Sequence, residues 1–260
     1  MNSSCGRIAV IKLGGSVLVS EQSYREAAQF LLRRLQTGLV DRFVAVVSAR
    51  KGLTDELERL ACDTTPYPNP RTLDLLWSTG EMYSVALLTL HLEQLGVSAV
   101  GLNIHETGIR IDRRNQISVV RAGMQQLLND HWVVIVPGFF GTNVGGTIRS
   151  LGRNSSDLST VLLADALDVP ECELIKDVSG YFSADPCLDP QANYLPRITY
   201  EEALGMANAG CEVVQGRAIE AARAAGVRLI VRGLDDTAGS IVAENSADAA
   251  TPVYGDEGVV

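Results

Sequence analysis

Lys12, one of three lysines in the chain, closes the apolar run Ile8-Ala9-Val10-Ile11 and is followed by Leu13-Gly14-Gly15-Ser16. One fixed positive charge thus stands beside a glycine turn. Backbone N–H groups there can approach an anion closely, because glycine carries no Cβ to obstruct it. Ser20-Glu21-Gln22-Ser23 then gives a capping pattern for a helix reaching about Gln36. An ordinary strand-to-helix turn has the same appearance, so this segment alone leaves both readings open.

Further polar residues fall at the ends of other apolar runs. Val46-Val47-Ser48-Ala49 places a hydroxyl at a strand end, and Thr54 and Asp55 are expected to cap the helix that follows. Glu81 lies beside Gly80 inside a long helical stretch. A glycine there costs about 1 kcal/mol against alanine, which suggests close approach of another group. Glu81 then either holds an ammonium group or lies on a solvated helix face. Leu151-Gly152-Arg153-Asn154-Ser155-Ser156-Asp157 opens another helix. Its arginine fork suits two carboxylate oxygens and its helix-start amides suit an anion, though a structural Arg–Asp pair would account for the same residues. Finally, Lys176-Asp177-Val178-Ser179-Gly180-Tyr181 runs to Ala184-Asp185-Pro186, a turn and stop that could cup a nucleotide.

These residues need a scaffold that brings strand ends together. Val/Ile-rich strands are expected at 7–13, 42–48, 97–103, 132–136, 171–176 and 227–232. Helices are expected near 21–37, 53–62, 72–94, 117–129, 156–167, 200–208 and 214–225, with a small hairpin at 104–116. Alternating strands and helices imply an α/β fold with a mostly parallel sheet, whose ligands bind beyond the carboxyl ends of the strands. A single unit over residues 1–245 is expected, with a flexible C-terminal tail at 246–260 rich in Ala, Asp and Gly.

Composition excludes several classes. A net charge of −9 without a basic stripe argues against nucleic acid. No apolar segment approaches the roughly 20 residues that span a bilayer, and no secretory signal is evident. Five scattered cysteines (Cys5, Cys62, Cys172, Cys187, Cys211) suggest reduced thiols in the cytoplasm rather than a zinc site.

Taken in order, the segments resemble the amino acid kinase family, and within it the aspartokinase catalytic domain. The matching motifs are Lys12-Leu13-Gly14-Gly15-Ser16, Val47-Ser48-Ala49, Gly80-Glu81, Leu151-Gly152-Arg153 with Ser156-Asp157, and Asp177 to Tyr181 with Ala184-Asp185-Pro186. Thr199-Tyr200-Glu201-Glu202 and Arg217-Ala218-Ile219-Glu220-Ala221-Ala222 complete the series. The resemblance implies a three-layer αβα sandwich, and transfer of the γ-phosphoryl of ATP, with Mg²⁺, to an amino acid side-chain carboxylate. Lys12 would steady the phosphoryl group beside Gly14, Gly15 and Ser16, and Asp157 would orient Lys12 or the metal shell. Arg153 would hold the substrate's α-carboxylate and Glu81 its ammonium, with Ser48 and Ser156 in the same subsite. Lys176, Asp177, Tyr181 and Asp185 would frame the nucleotide. Family likeness also implies a homodimer.

Three departures bear on activity. Glu212 stands where the family has a lysine touching the ATP phosphates, Cys187 replaces an arginine after Asp185-Pro186, and Asn154-Ser155 replace two glycines. Unless Glu212 turns away, Lys176, Arg217 or a metal would have to compensate. Two further readings therefore stand beside the aspartate kinase: a ligand-sensing homologue with weakened ATP binding, and a kinase for another acidic acceptor.

Overall fold

The computed structural model describes residues 6–186, 188–211, 213–235 and 239–245. In chain order the elements are β1 (Ile8–Leu13), α1 (Glu21–Gln36), β2 (Arg42–Val47), α2 (Leu53–Thr64), α3 (Pro70–Gln94), β3 (Ala99–Gly101), β4 (Ile109–Ile111) and β5 (Ile117–Val119). Then follow α4 (Arg121–Asp130), β6 (Val133–Pro137), β7 (Phe140–Asn143), β8 (Ile148–Ser150), α5 (Ser156–Ala166), β9 (Glu171–Ile175), β10 (Tyr181–Phe182) and β11 (Tyr194–Leu195). The last are β12 (Arg197–Thr199), α6 (Tyr200–Asn208), α7 (Gly216–Ala225), β13 (Arg228–Arg232) and β14 (Ser240–Ala243).

The main sheet has eight strands in the order β12-β14-β13-β9-β1-β2-β6-β3. Every pairing is parallel except β13 with β14. Its central strands are buried on both faces, and the two-residue side-chain period sorts them between two cores. Ala9, Ile11 and Leu13 of β1 pack with Phe43, Ala45 and Val47 against Tyr24 and Phe30 of α1 and Leu88 of α3. Val10 packs on the other face with Val44, Val46 and Leu174 against Leu158 and Val161 of α5 and Ile219 of α7. The result is the expected three-layer α/β sandwich. Two buried carboxylates interrupt β9, and each has an arginine: Glu173 with Arg34 at 2.6 Å, and Glu171 with Arg228 at 2.6 Å.

Several local expectations change. The helix expected over 117–129 begins at Arg121, because Ile117 and Val119 pair with Ile111 and Ile109 in an antiparallel hairpin. That hairpin thus lies later than 104–116, and it continues into a second sheet of order β5-β4-β7-β8. Thr54 and Asp55 do not cap α2. Gly52 occupies that position at φ 81°, and both residues lie within the first turn. The caps of α1 and α6 are as expected, Ser20 with Ser23 and Thr199 with Glu202 forming reciprocal pairs. The tail at 246–260 lies outside the described residues.

Candidate active site

A cleft of about 1230 Å³ opens at the carboxyl ends of β1, β2 and β9. Lys12 is the next-to-last residue of β1 and lies almost fully buried on its floor. Asp157, in the first turn of α5, reaches it: Lys12 Nζ lies 2.9 Å from Asp157 Oδ1. Lys176, just past β9, donates to the same carboxylate at 3.0 Å and 2.9 Å. The backbone N–H of Gln215 donates to Asp157 Oδ2 at 3.3 Å. A helix start favours a carboxylate. Burial by itself would push Asp157 up, but Lys12 and Lys176 hold it well below the usual carboxylate range. Burial, and then the charge of Lys12, draw Lys176 down to about 8, against the pull of Asp157.

The glycines serve close approach. A Cβ on Gly14 would stand 3.1 Å from Lys12 Nζ and 3.2 Å from the carbonyl oxygen of Ile175. On Gly15 it would meet the carbonyl oxygen of Ala49 at 2.6 Å, so that turn and the β2–α2 turn fit only as glycine against backbone. Gly80 likewise brings α3 onto Ala49, where a Cβ would lie 3.0 Å from the alanine's own.

That approach carries Glu81 into the cleft. It is 3% exposed, and its Oε1 accepts from the Ala49 N–H at 3.3 Å. Its Oε2 has no hydrogen-bond partner, so the helix-face reading fails. Burial pushes the carboxyl up to about 8, against the lowering effect of the Ala49 N–H. Ser16, Ser48 and Ser156 line the same cleft. Arg153 stands at its rim, half exposed, donating to Glu58 at 2.7 Å and to Asp55 while lying over Trp77.

Of the expected nucleotide residues, Lys176, Asp177 and Asp185 line the cleft. Tyr181 does not: its ring is buried in the core behind the cleft, and its neighbours Gly180 and Phe182 face the opening instead. Asn154 and Gln215 line the cleft, and Gln215 Nε2 reaches the buried Ser155 hydroxyl at 3.4 Å and the Arg153 carbonyl at 2.9 Å. Glu212 and Cys187 lie outside the described residues. Sequence reasoning passed over Lys51, which also lines the cleft. All three lysines of the chain therefore meet in one place, and their scarcity was the available signal.

The amino acid kinase family model matches residues 7–233. The chain belongs to that family. It is 38% identical over 229 residues to an aspartokinase of Thermus thermophilus, covering 86% of this chain and 56% of that one. Among solved structures, the aspartate kinase of Synechocystis superposes with a TM-score of 0.84 at 35% identity, over 92% of this chain and 40% of the other. The E. coli aspartokinase III complex with aspartate and ADP has a TM-score of 0.77 at 24% identity, over 92% of this chain and 65% of that one. At that identity the likeness speaks for the fold alone. The family member described here spans little more than half the length of its aspartokinase relatives.

Proposed function

We propose that this chain transfers the γ-phosphoryl group of ATP to the side-chain carboxylate of L-aspartate. The observation that carries this reading is the pairing, in one cleft, of a buried cationic floor with a buried carboxylate, Glu81, whose second oxygen has no partner. The first suits a phosphoryl group and the second suits an ammonium. In the reaction a carboxylate oxygen bonds to the γ-phosphorus while the bond from that phosphorus to the β–γ bridging oxygen breaks. ADP leaves, and no proton is transferred. Catalysis of such a step is mainly positioning and charge stabilisation. Lys12, beside Gly14, Gly15 and Ser16, supplies charge to the phosphoryl group. Asp157 keeps Lys12 aimed. Glu81 receives the ammonium, with Ser48 and Ser156 beside the acceptor, and Arg153 exchanges Asp55 and Glu58 for the α-carboxylate. Asp177 and Asp185 border the nucleotide.

Mg²⁺ neutralises phosphate charge when bound. Here it would be held by substrate phosphates with one or two carboxylates rather than by an all-protein cage. Asp177 and Asp185 are the carboxylates on the nucleotide side of the cleft, and no cluster of three or more ligating side chains occurs among the described residues. No described helix is long and apolar enough to cross a membrane. The described cysteines Cys62, Cys172 and Cys211 are free thiols, in keeping with a cytoplasmic setting.

The test is ADP release from MgATP with L-aspartate, with hydroxylamine present to trap the acyl phosphate as hydroxamate. Matching aspartate-dependent ADP and hydroxamate are expected, and Lys12→Ala should lose turnover while still binding aspartate. Absence of both products, or full activity in Lys12→Ala, overturns the reading.

A further inference from the structure

One lysine and one aspartate would complete an ion pair, yet this floor holds two lysines on one aspartate. The parallel register sets Lys12 opposite Leu174, so Lys176, two residues further, falls on the same face of the sheet. Both side chains are nearly enclosed, 9% and 12% exposed. Two ammonium groups against one carboxylate leave one net positive charge on a desolvated floor. Burying like charges together is unfavourable, and a structural ion pair has no need of it. Among the described residues neither lysine has a second carboxylate partner, and both line the open cleft.

The two lysines also come from adjacent strands that lead into different parts of the cleft lining. Lys12 belongs to the strand that leads into the Gly14-Gly15 turn, and its Nζ lies close to Gly14. Lys176 begins the segment whose Asp177, Val178, Gly180, Ala184 and Asp185 also line the cleft. Resting on the kinase reading, we propose that Lys176 is a second catalytic cation, which stabilises the negative charge that builds on the leaving ADP as Lys12 stabilises the transferring phosphoryl group.

The chemistry supports that division. As the bond from the γ-phosphorus to the bridging oxygen lengthens, charge accumulates on the β-phosphate. A fixed cation placed there acts more strongly on the transition state than on bound ATP. Asp157 holds both ammonium groups in place beforehand.

The geometry also implies a pH signature. Lys176 faces Lys12 from β1 and Asp157 from α5. On the adjacent strand Arg232 turns to the other face, towards Glu173, 3.7 Å away. The nearby Tyr181 hydroxyl and Cys172 thiol are both pushed up by burial and stay neutral. With Lys176 drawn down to about 8, its charge is present below that pH and lost above it. Turnover should fall as pH rises through about 8.

The test compares wild type, Lys176→Met and Lys176→Arg in the hydroxamate assay across pH, with thermal melts and aspartate calorimetry on each. Lys176→Met should lower kcat by about 10²–10³-fold, the scale of one lost electrostatic donor, with aspartate binding unchanged. Lys176→Arg should retain part of the turnover and move the alkaline limb upward, because a guanidinium stays charged. With three lysines in the chain, ¹³Cε-lysine NMR resolves each one. The resonance lost in Lys176→Arg should titrate near 8, and MgADP should raise its midpoint. Wild-type turnover in Lys176→Met, an unmoved limb in Lys176→Arg, or a lysine midpoint near 10.4 that ignores MgADP overturns the proposal. If Lys176→Met does not fold, the arginine variant and the NMR titration decide. Hydroxamate from wild type separates this failure from failure of the kinase reading: without it both fall, and with it only the role of Lys176 is at issue.

Discussion

Glu81 shows what a single side chain contributes here. It is buried, with one oxygen on the Ala49 N–H and the other without a partner, and burial pushes its carboxyl up to about 8, which favours the protonated form at pH 7. An ammonium docking against it reverses the preference, and the carboxyl ionises. Aspartate binding at pH 7 should therefore release about one proton, read as a buffer-dependent calorimetric enthalpy. Stability carries the same signature. The folded-state pKa lies above the unfolded value, so this contribution is complete below about 4.3 and is lost as pH rises through about 8. Glu81→Gln should abolish the proton release and flatten that pH slope. Release of no proton by wild type would show that Glu81 does not receive the ammonium. Most site residues were legible because they stand where apolar runs end. Tyr181 was not, because a motif gives no parity: in a two-residue strand its neighbours face the cleft and it faces the core. Lys176 was legible as a position, but its sharing of Asp157 depends on a strand register that no sequence pattern specifies.

At the scale of elements, the site depends on two turns meeting without side chains between them. The Gly15 turn lies against the backbone of Ala49, and the Lys51 N–H donates to the Gly15 carbonyl at 3.1 Å. A methyl on Gly15 would meet a carbonyl oxygen at 2.6 Å, and backbone cannot swing aside as a flexible side chain can. Gly15→Ala should therefore part the β1–α1 and β2–α2 turns, at about 1–3 kcal/mol for overpacking. In a chain of this size that lowers Tm by about 2–4 °C per kcal/mol. Gly38→Ala supplies the contrast: its φ of 72° is unfavourable to alanine, but nothing lies within 4 Å of the added Cβ, so it should lose stability without loss of MgATP binding. Equal MgATP affinity in Gly15→Ala and wild type would show that the turn spacing does not matter. The long elements could be read in the sequence because many residues vote for one period. The strands β7, β8, β10, β11, β12 and β14 have two to four residues each, too few to show alternation. Ile117 and Val119, two residues apart, share one face only in a strand, and their partners Ile111 and Ile109 hold them there.

Across the whole molecule, charge and apolar surface are distributed unevenly. The chain is acidic, at −9, yet Lys12, Lys51 and Lys176 all line one cleft with Arg50 and Arg153, offsetting Asp55, Glu81, Asp157, Asp177 and Asp185 there, so charge of both signs is concentrated where the anion must enter. The opposite imbalance occurs on α3. Its inner arc, including Trp77, Glu81, Val85 and Leu88, is buried against the cleft and the sheet. Its outer arc carries Thr72, Leu75, Thr79, Tyr83, Ala86 and Leu90, exposed and uncharged up to Glu93 in the last turn. Leu75, Tyr83 and Leu90 are 56%, 51% and 60% exposed. On a helix these positions fall into one stripe along five turns, and a solvated face of that length ordinarily carries charged residues. A second copy of the same helix is the natural cover, because a two-fold axis lets one stripe pack on itself. The homodimer implied by family likeness is thus proposed to form across α3. Sedimentation at micromolar concentration should give twice the chain mass. Tyr83→Glu with Leu90→Glu should yield a monomer, since like charges would then face each other across the axis. Because Glu81 and Gly80 lie on the inner arc of that helix, the monomer should also bind aspartate more weakly. A monomeric wild type would remove α3 as an interface, and a dimer unaffected by both glutamates would place the contact on another face.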